Sequence, residues 1–192
     1  MFLQQLRPAL VILALLTLLT GAAYPLAVTA VAQAAFPWQA NGSLVRVGGL
    51  VVGSALIGQA NADPRYFWPR PSAIEYNPLP SGGSNESPTS ADLQQAVADR
   101  AAQLRAAHHL PAGVPLPADL LFASGSGLDP HISPEAARLQ IGRVAQARQF
   151  TSAQRDALAA LVERSIEPPQ LGLLGQPRVN VLLLNLALDG LK

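Results

Sequence analysis

Between Pro8 and Phe36 the chain carries no charged side chain, and the first 45 residues hold one charge, Arg7. The run reads PALVILALLTLLTGAAYPLAVTAVAQAAF and is 29 residues long. A hydrocarbon core about 30 Å thick is crossed by about 20 apolar residues rising about 1.5 Å each, so this run spans a bilayer with tilt or an interfacial overhang. Backbone groups in lipid must be bonded within the segment, which predicts a helix. Thr17, Thr20 and Thr29 can bond back to carbonyls one turn earlier, and Pro25, lacking an amide donor, predicts a kink near Gly21 to Tyr24. Phe36 and Trp38 fall where an aromatic belt belongs. Gly21, Ala23, Ala27, Ala30 and Ala34 recur near helical spacing and predict a face packed against a partner helix, while Leu13, Leu16 and Leu19 include lipid-facing positions.

Two other readings compete with a permanent anchor. Ala32-Gln33-Ala34 has the small-x-small form of a signal cleavage site, although the apolar stretch is about twice a signal h-region of about 7–15 residues. A buried helix of a soluble core is the other, and a charge-free run of this length argues against it. Arg7 before the run and Arg46 behind it orient the segment weakly. The expected layout is a cytoplasmic end over 1–7, a membrane helix over 8–36 and one extracytoplasmic domain over 37–192.

Setting Arg7 aside, 12 basic residues face 12 acidic ones, so the domain is formally neutral and lacks the basic face that nucleic acid requires. There is no cysteine, which excludes disulfides and thiolate metal sites. Lys192 is the sole lysine, so no P-loop exists. Seventeen prolines and fifteen glycines point to a loop-rich domain. The fold expectation is α+β: a single N-terminal transmembrane helix, then a small sheet with about three helices. Val45, Val47, Val51 and Val52 favour strand, broken by Gly48-Gly49 and Gly53 into two short strands or one bulged strand after an Asn41-Gly42 turn. Pro177–Asp189, PRVNVLLLNLALD, is apolar on both faces of an alternating pattern and reads as a buried strand over 179–188, paired with the valine segment 45–57.

Helices are predicted near 90–108, 134–149 and 152–164. Thr89 or Ser90 caps the first, whose stripe is Leu93, Ala96, Val97, Ala101 and Leu104. Ser133-Pro134 opens the second, with Leu139 and Arg148 spoiling its pattern. Thr151-x-x-Gln154 is a capping box for the third. His108 and His109 read as cations at a helix C-terminus rather than metal ligands, since no acidic or Cys partner is suitably spaced.

Two stretches attract functional interest. Asp63–Asn85 has no periodicity, yet it holds Tyr66, Phe67, Trp68 and Tyr76; with Arg70, Asn77 and Asn85 it reads either as a partner-binding loop or as a loop pinned to its own domain. The second, Ser124-Gly125-Ser126-Gly127-Leu128-Asp129-Pro130-His131-Ile132-Ser133, is the densest polar cluster. An anchored hydrolase would use Ser126 as nucleophile with His131 and Asp129, but Ser126 is not in G-x-S-x-G. A glycine-permitted turn into a capped helix, or an anion nest, are the other readings, and no basic side chain other than His131 lies in the stretch.

Six strings make the chain recognisable: the anchor beginning LRPAL, GSALIGQ (53–59), YFWPRPSA (66–73), YNPLPSGGSN (76–85), SGSGLDPHISPEAA (124–137) and VNVLLLNLALD (179–189). In this order they resemble the KdpC family, one of the subunit families of the Kdp potassium-transporting ATPase, over nearly the whole chain. The resemblance implies a single-pass inner-membrane subunit that is not itself an enzyme. It implies assembly with a potassium-channel-like subunit, a P-type ATPase subunit and a small one-helix subunit. It further implies a catalytic chaperone that raises ATP affinity of the ATPase subunit. With the domain outside, an ATP effect is transmitted through partner contacts; the alternative is an inside domain whose Gly-Ser loop meets ATP. The residues by themselves indicate no cofactor and no metal bound by this chain.

Overall fold

The computed structural model describes residues 2–191; Met1 and Lys192, the ends of the expected outer segments, lie outside the described residues. The chain divides into two units, 1–52 and 53–192.

In the first unit, Gln4–Ala35 is one continuous 32-residue helix, long and apolar enough to cross a membrane. The elements along it are α1 (Phe2–Leu18), which begins two residues earlier, a π-helical turn (Leu19–Ala23) and α2 (Tyr24–Ala35). The wide turn sits just before Pro25, whose missing amide breaks the regular ladder; Tyr24 N–H bonds Leu19 O, five residues back. Thr20 Oγ1 donates to Leu16 O at 2.7 Å. The expected kink is therefore a wide turn at the expected place. Past the helix comes α3 (Pro37–Ala40), whose end is sewn back to α2: Asn41 Nδ2 donates to Pro37 O at 2.6 Å and to Gln33 Oε1 at 3.1 Å. A hairpin follows, β1 (Leu44–Val47) and β2 (Leu50–Ser54). Gly48 (φ 58°) and Gly49 (φ 86°) take the two left-handed positions of its turn, which glycine occupies without steric cost.

The second unit contains α4 (Ala91–His108), α5 (Ala118–Leu121), β3 (His131–Ile132), α6 (Pro134–Ala147), α7 (Ser152–Arg164), β4 (Ile166–Glu167), β5 (Arg178–Asn180) and α8 (Val181–Asp189). The local start signals hold. Leu93 N bonds Ser90 Oγ, Ala136 N bonds Ser133 Oγ, and both halves of the Thr151–Gln154 capping box form. The core joins Leu104 of α4, Ala137 and Val144 of α6, Leu158 and Val162 of α7, and Leu184 and Leu188 of α8. Fusing so much apolar surface in one cluster is the main stabilising term of such a domain.

Two expectations fail. Segment 179–188 is a strand only at Arg178–Asn180 and then a helix, α8. Asn180 accepts from Leu183 N at 3.1 Å as its N-cap, and Val181, Leu184, Asn185 and Leu188 are buried at i, i+3, i+4 and i+7. A leucine-rich run satisfies both periods, and leucine's helix propensity with an Asn cap decides it. The proposed pairing of 45–57 with 179–188 is absent as well. β1 and β2 pair with each other, β2 stopping at Ser54, while β5 is the centre of an antiparallel β3-β5-β4 sheet. Its register is His131↔Asn180, Ile132↔Val179 and Ile166↔Val179. Helices α5 and α8 add to the three expected in this region, and the second of those three ends at Ala147 rather than 149.

Candidate functional site

The aromatic loop has no regular structure, so its buried amides and carbonyls need other partners. Side-chain amides supply them. Asn185 of α8 takes Phe67 in both directions, Phe67 N to Oδ1 at 2.8 Å and Nδ2 to Phe67 O at 3.0 Å. Gln140 of α6 does the same for Trp68, at 2.7 and 3.1 Å. Arg143 donates to Pro64 O at 2.6 Å, Tyr66 O at 3.0 Å and Gln140 Oε1 at 2.7 Å, and its guanidinium lies 3.9 Å from the centre of the Trp68 ring. Burial holds the Arg143 guanidinium down, to about 10. Arg148 bonds Arg65 O at 2.8 Å and Asp189 Oδ1 at 2.6 Å beneath the Tyr66 ring, whose hydroxyl donates to Asp189 Oδ2 at 3.2 Å. Phe67 is fully buried. The loop is thus pinned to its own domain.

Downstream, the pinned loop meets the Gly-Ser stretch. Ser124 N donates to Pro71 O at 3.2 Å, Ser72 Oγ to Gly127 O at 2.7 Å, and Gly82 N and Ser81 Oγ to Ser126 O at 3.0 and 2.9 Å. Gly127 is left-handed (φ 68°), and a Cβ there would lie 2.8 Å from Gly82 O, so only glycine permits the approach. From the other side Gly58 N donates to Leu128 O at 2.8 Å. Two stretches that were separate candidates in sequence form one junction.

At its centre lies Asp129. Arg70 NH1 donates to Oδ2 at 3.0 Å, and the His131 amide and the His131 Nδ1 meet Oδ1 at 3.0 and 3.2 Å. Burial pushes the Asp129 carboxyl up, but the side-chain and backbone hydrogen bonds of His131 and the Arg70 charge outweigh it and hold the group below the usual carboxylate range. The Tyr76 hydroxyl donates to Arg70 O and is pushed up to about 12, by burial first and then by the Asp129 charge, with Arg70 opposing. Ser133 caps α6 and is itself held by Asp119, Ser133 N to Oδ2 at 2.6 Å and Oγ to Oδ1 at 3.1 Å.

The junction borders two hollows. One, about 270 Å³, is lined by Arg70, Asp119, Asp129, His131, Ser133 and Arg178. The other, about 870 Å³, is a groove walled by Trp68, Pro69, Pro71, Tyr76, Leu104 and Arg100, with Arg70 on its rim. As for chemistry, both Asp129 oxygens are engaged, and Ser126 Oγ accepts from Leu128 N at 3.1 Å as part of the turn. That is the geometry of an internal clamp. Among the described residues no three His, Asp or Glu side chains gather in a way that holds a metal ion.

Of the candidate residues, Tyr66, Phe67, Trp68, Arg70, Tyr76, Ser124, Gly125, Ser126, Gly127, Asp129, His131 and Ser133 belong to the pinned loop and its junction. Asn77 and Asn85 stand exposed, Asn77 bonding Leu79 N and Asn85 at φ 55°. Gln140, Arg143, Arg148, Asn185 and Asp189, which hold the loop, went unnoticed in sequence as binding groups. Their signal was a polar residue on an otherwise apolar helix face.

A model of the family described as K+-transporting ATPase, c chain, matches residues 6–190. The chain belongs to the KdpC family. It is 58% identical over 192 residues to a potassium-transporting ATPase KdpC subunit of Sorangium cellulosum, covering 98% of each chain. It is 51% identical over 194 residues to the KdpC subunit of Geobacter sulfurreducens, again over 98% of each. With that of Rhodospirillum rubrum the identity is 56% over 189 residues, 97% of this chain and 96% of the relative. The KdpC match takes in the apolar helix, the pinned loop and the junction together.

Proposed function

We propose that this chain is a non-catalytic accessory subunit of an ATP-driven potassium uptake complex of the cell inner membrane. The observation that carries the reading is the likeness to KdpC subunits from residue 6 to residue 190. One retained helix anchors the chain, with its N-terminus in the cytoplasm and residues 37–192 outside. Its partners are a potassium-channel-like subunit, a P-type ATPase subunit, a small one-helix subunit and the bilayer. The face made by Gly21, Ala23, Ala27, Ala30 and Ala34 packs on a partner helix, where small residues allow close approach. The junction around Arg70, Asp129 and His131 is a rigid surface read by a partner subunit, since its polar groups are engaged in holding shape. The chain acts as a catalytic chaperone that raises the ATP affinity of the ATPase subunit through those contacts, without touching nucleotide.

The test uses the purified complex carrying Arg70→Met, compared with the unaltered complex at equal content of this chain. The KM for ATP is expected to rise by about fivefold or more, the lower range of coupling between distant sites, with kcat little changed. An unchanged KM would separate the junction from the ATP effect. Protease added to the cytoplasmic face of oriented vesicles should leave residues 37–192 intact, and cleavage there would overturn the outside placement.

A further inference from the structure

The β1–β2 hairpin has an unusual composition for an element in water. Over Leu44–Val52 it carries one charged side chain, Arg46, and no acidic residue occurs anywhere before Asp63. Its two strands form a sheet of their own. A two-residue turn pairs Val47 with Leu50, so alternation sets Val45, Val47, Leu50 and Val52 on one face and Leu44, Arg46 and Val51 on the other. Val47 and Leu50 are exposed, Leu50 by 75%, Val45 and Val52 are half-buried, and Leu44 and Val51 beside Arg46 are exposed as well. An isolated two-stranded sheet with an exposed apolar face is marginal in water and prone to edge association. Something other than water covers this face.

Its position says what. Residues 44–52 of the hairpin belong to the same unit as the membrane-length helix. Trp38, three residues past the end of α2, donates its indole N–H to Leu44 O at 3.2 Å, and Ser43 N bonds Trp38 O at 3.0 Å. The first residue of β1 is thereby held at the level of the aromatic belt. Phe36 and Trp38 are themselves exposed there, as an amphipathic belt at the headgroup level requires.

We propose that the β1–β2 hairpin is an interfacial membrane element. It lies at the boundary of headgroups and acyl chains, its Val45–Val47–Leu50–Val52 face toward the hydrocarbon and Arg46 toward lipid phosphate. The inference rests on the membrane-anchored reading given above, and it is independent of which leaflet is involved. Arg46 reaches phosphate by snorkelling, its stem lying along apolar surface. The hairpin then fixes the depth and rotation of the helix end, which a helix of about 48 Å in a hydrocarbon layer of about 30 Å does not fix alone.

The absence of cysteine allows single-site labelling. Nitroxides at Leu50→Cys, Leu16→Cys and Ala112→Cys are compared in the full chain in phosphatidylethanolamine–phosphatidylglycerol nanodiscs, then in the assembled complex. Relaxation by oxygen, which partitions into lipid, is read against relaxation by a water-soluble nickel chelate. Expected is an oxygen-dominated response at Leu50→Cys and Leu16→Cys and a nickel-dominated one at Ala112→Cys, in both preparations. Nickel access at Leu50→Cys with oxygen access at Leu16→Cys overturns the hairpin proposal and leaves the anchor standing. Nickel access at both overturns the anchor itself. Loss of both accesses at Leu50→Cys on assembly means that a partner protein covers the face, which also overturns the proposal.

Discussion

Tyr66-Phe67-Trp68 and Leu171-Gly172-Leu173-Leu174 are both short, irregular and apolar, and they end up in opposite environments. Phe67 is fully buried, whereas Leu171 and Leu173 are 90% and 87% exposed. Among the described residues the second segment's backbone bonds stay local, Gln170 N to Leu174 O at 2.8 Å, Leu174 N to Gln170 O at 2.9 Å and Gly172 N to Pro169 O at 3.0 Å. The first receives Asn185, Gln140 and Arg143 from two helices. Apolar content alone therefore does not bury a loop. Its backbone has to be matched inside, and side-chain amides do here what a neighbouring strand does in a sheet.

Four measurements break or sharpen this contrast, each by urea unfolding or pH titration of the full chain in detergent. Phe67→Ala is expected to cost the most, about 3–5 kcal/mol, because a fully buried ring leaves a cavity. A loss under about 1 kcal/mol would mean that the loop is not part of the core. Asn185→Ala follows, at about 2–4 kcal/mol, since it orphans a buried amide and a buried carbonyl of Phe67 together. If Asn185→Ala matched a surface substitution, the amide-clamp account would be wrong.

Third comes pH. His108 stacks edge-on against Trp68, with ring centres 5.9 Å apart, and burial, then the Arg143 and His109 charges, lower its pKa from 6.5 to about 4. The folded state resists protonation, so stability is full above about pH 6.5 and declines as pH falls from there to about 4. The group is only half-buried, so the decline should be on the order of 1 kcal/mol. His108→Phe should flatten that window, and an unchanged slope in the variant would exclude this histidine as the cause. Smallest of all, Leu171→Ser with Leu173→Ser should shift stability by no more than about 0.5 kcal/mol. A larger loss would show that the tip is covered within the chain.

Signals within one turn of backbone were legible. Ser90, Ser133-Pro134 and Thr151-x-x-Gln154 mark helix starts that form where expected, and Gly48-Gly49 marks the break in the valine segment, which the structure makes a hairpin turn. The run Val181–Leu188 misled because apolar residues at every position but Asn185 suit a strand and a helix equally; the Asn180 cap was the available clue. The two functional stretches were visible one at a time. Their convergence on Asp129 was not, because it depends on Ser72, Ser81 and Gly82 meeting Ser126 and Gly127 across some 45 to 55 residues.

By itself the sequence determined the apolar helix, the helix starts, the α+β class and the family. Each follows from hydropathy over a span, from a cap a few residues away, or from strings read in order. Tertiary structure alone decided that β5 pairs with β3 and β4, that Gln140 and Asn185 grip the aromatic loop, and that Arg70 reaches Asp129 over 59 residues. The physical reason is that a buried backbone group must find a partner somewhere in the folded chain, and which side chain supplies it is a property of packing, not of spacing.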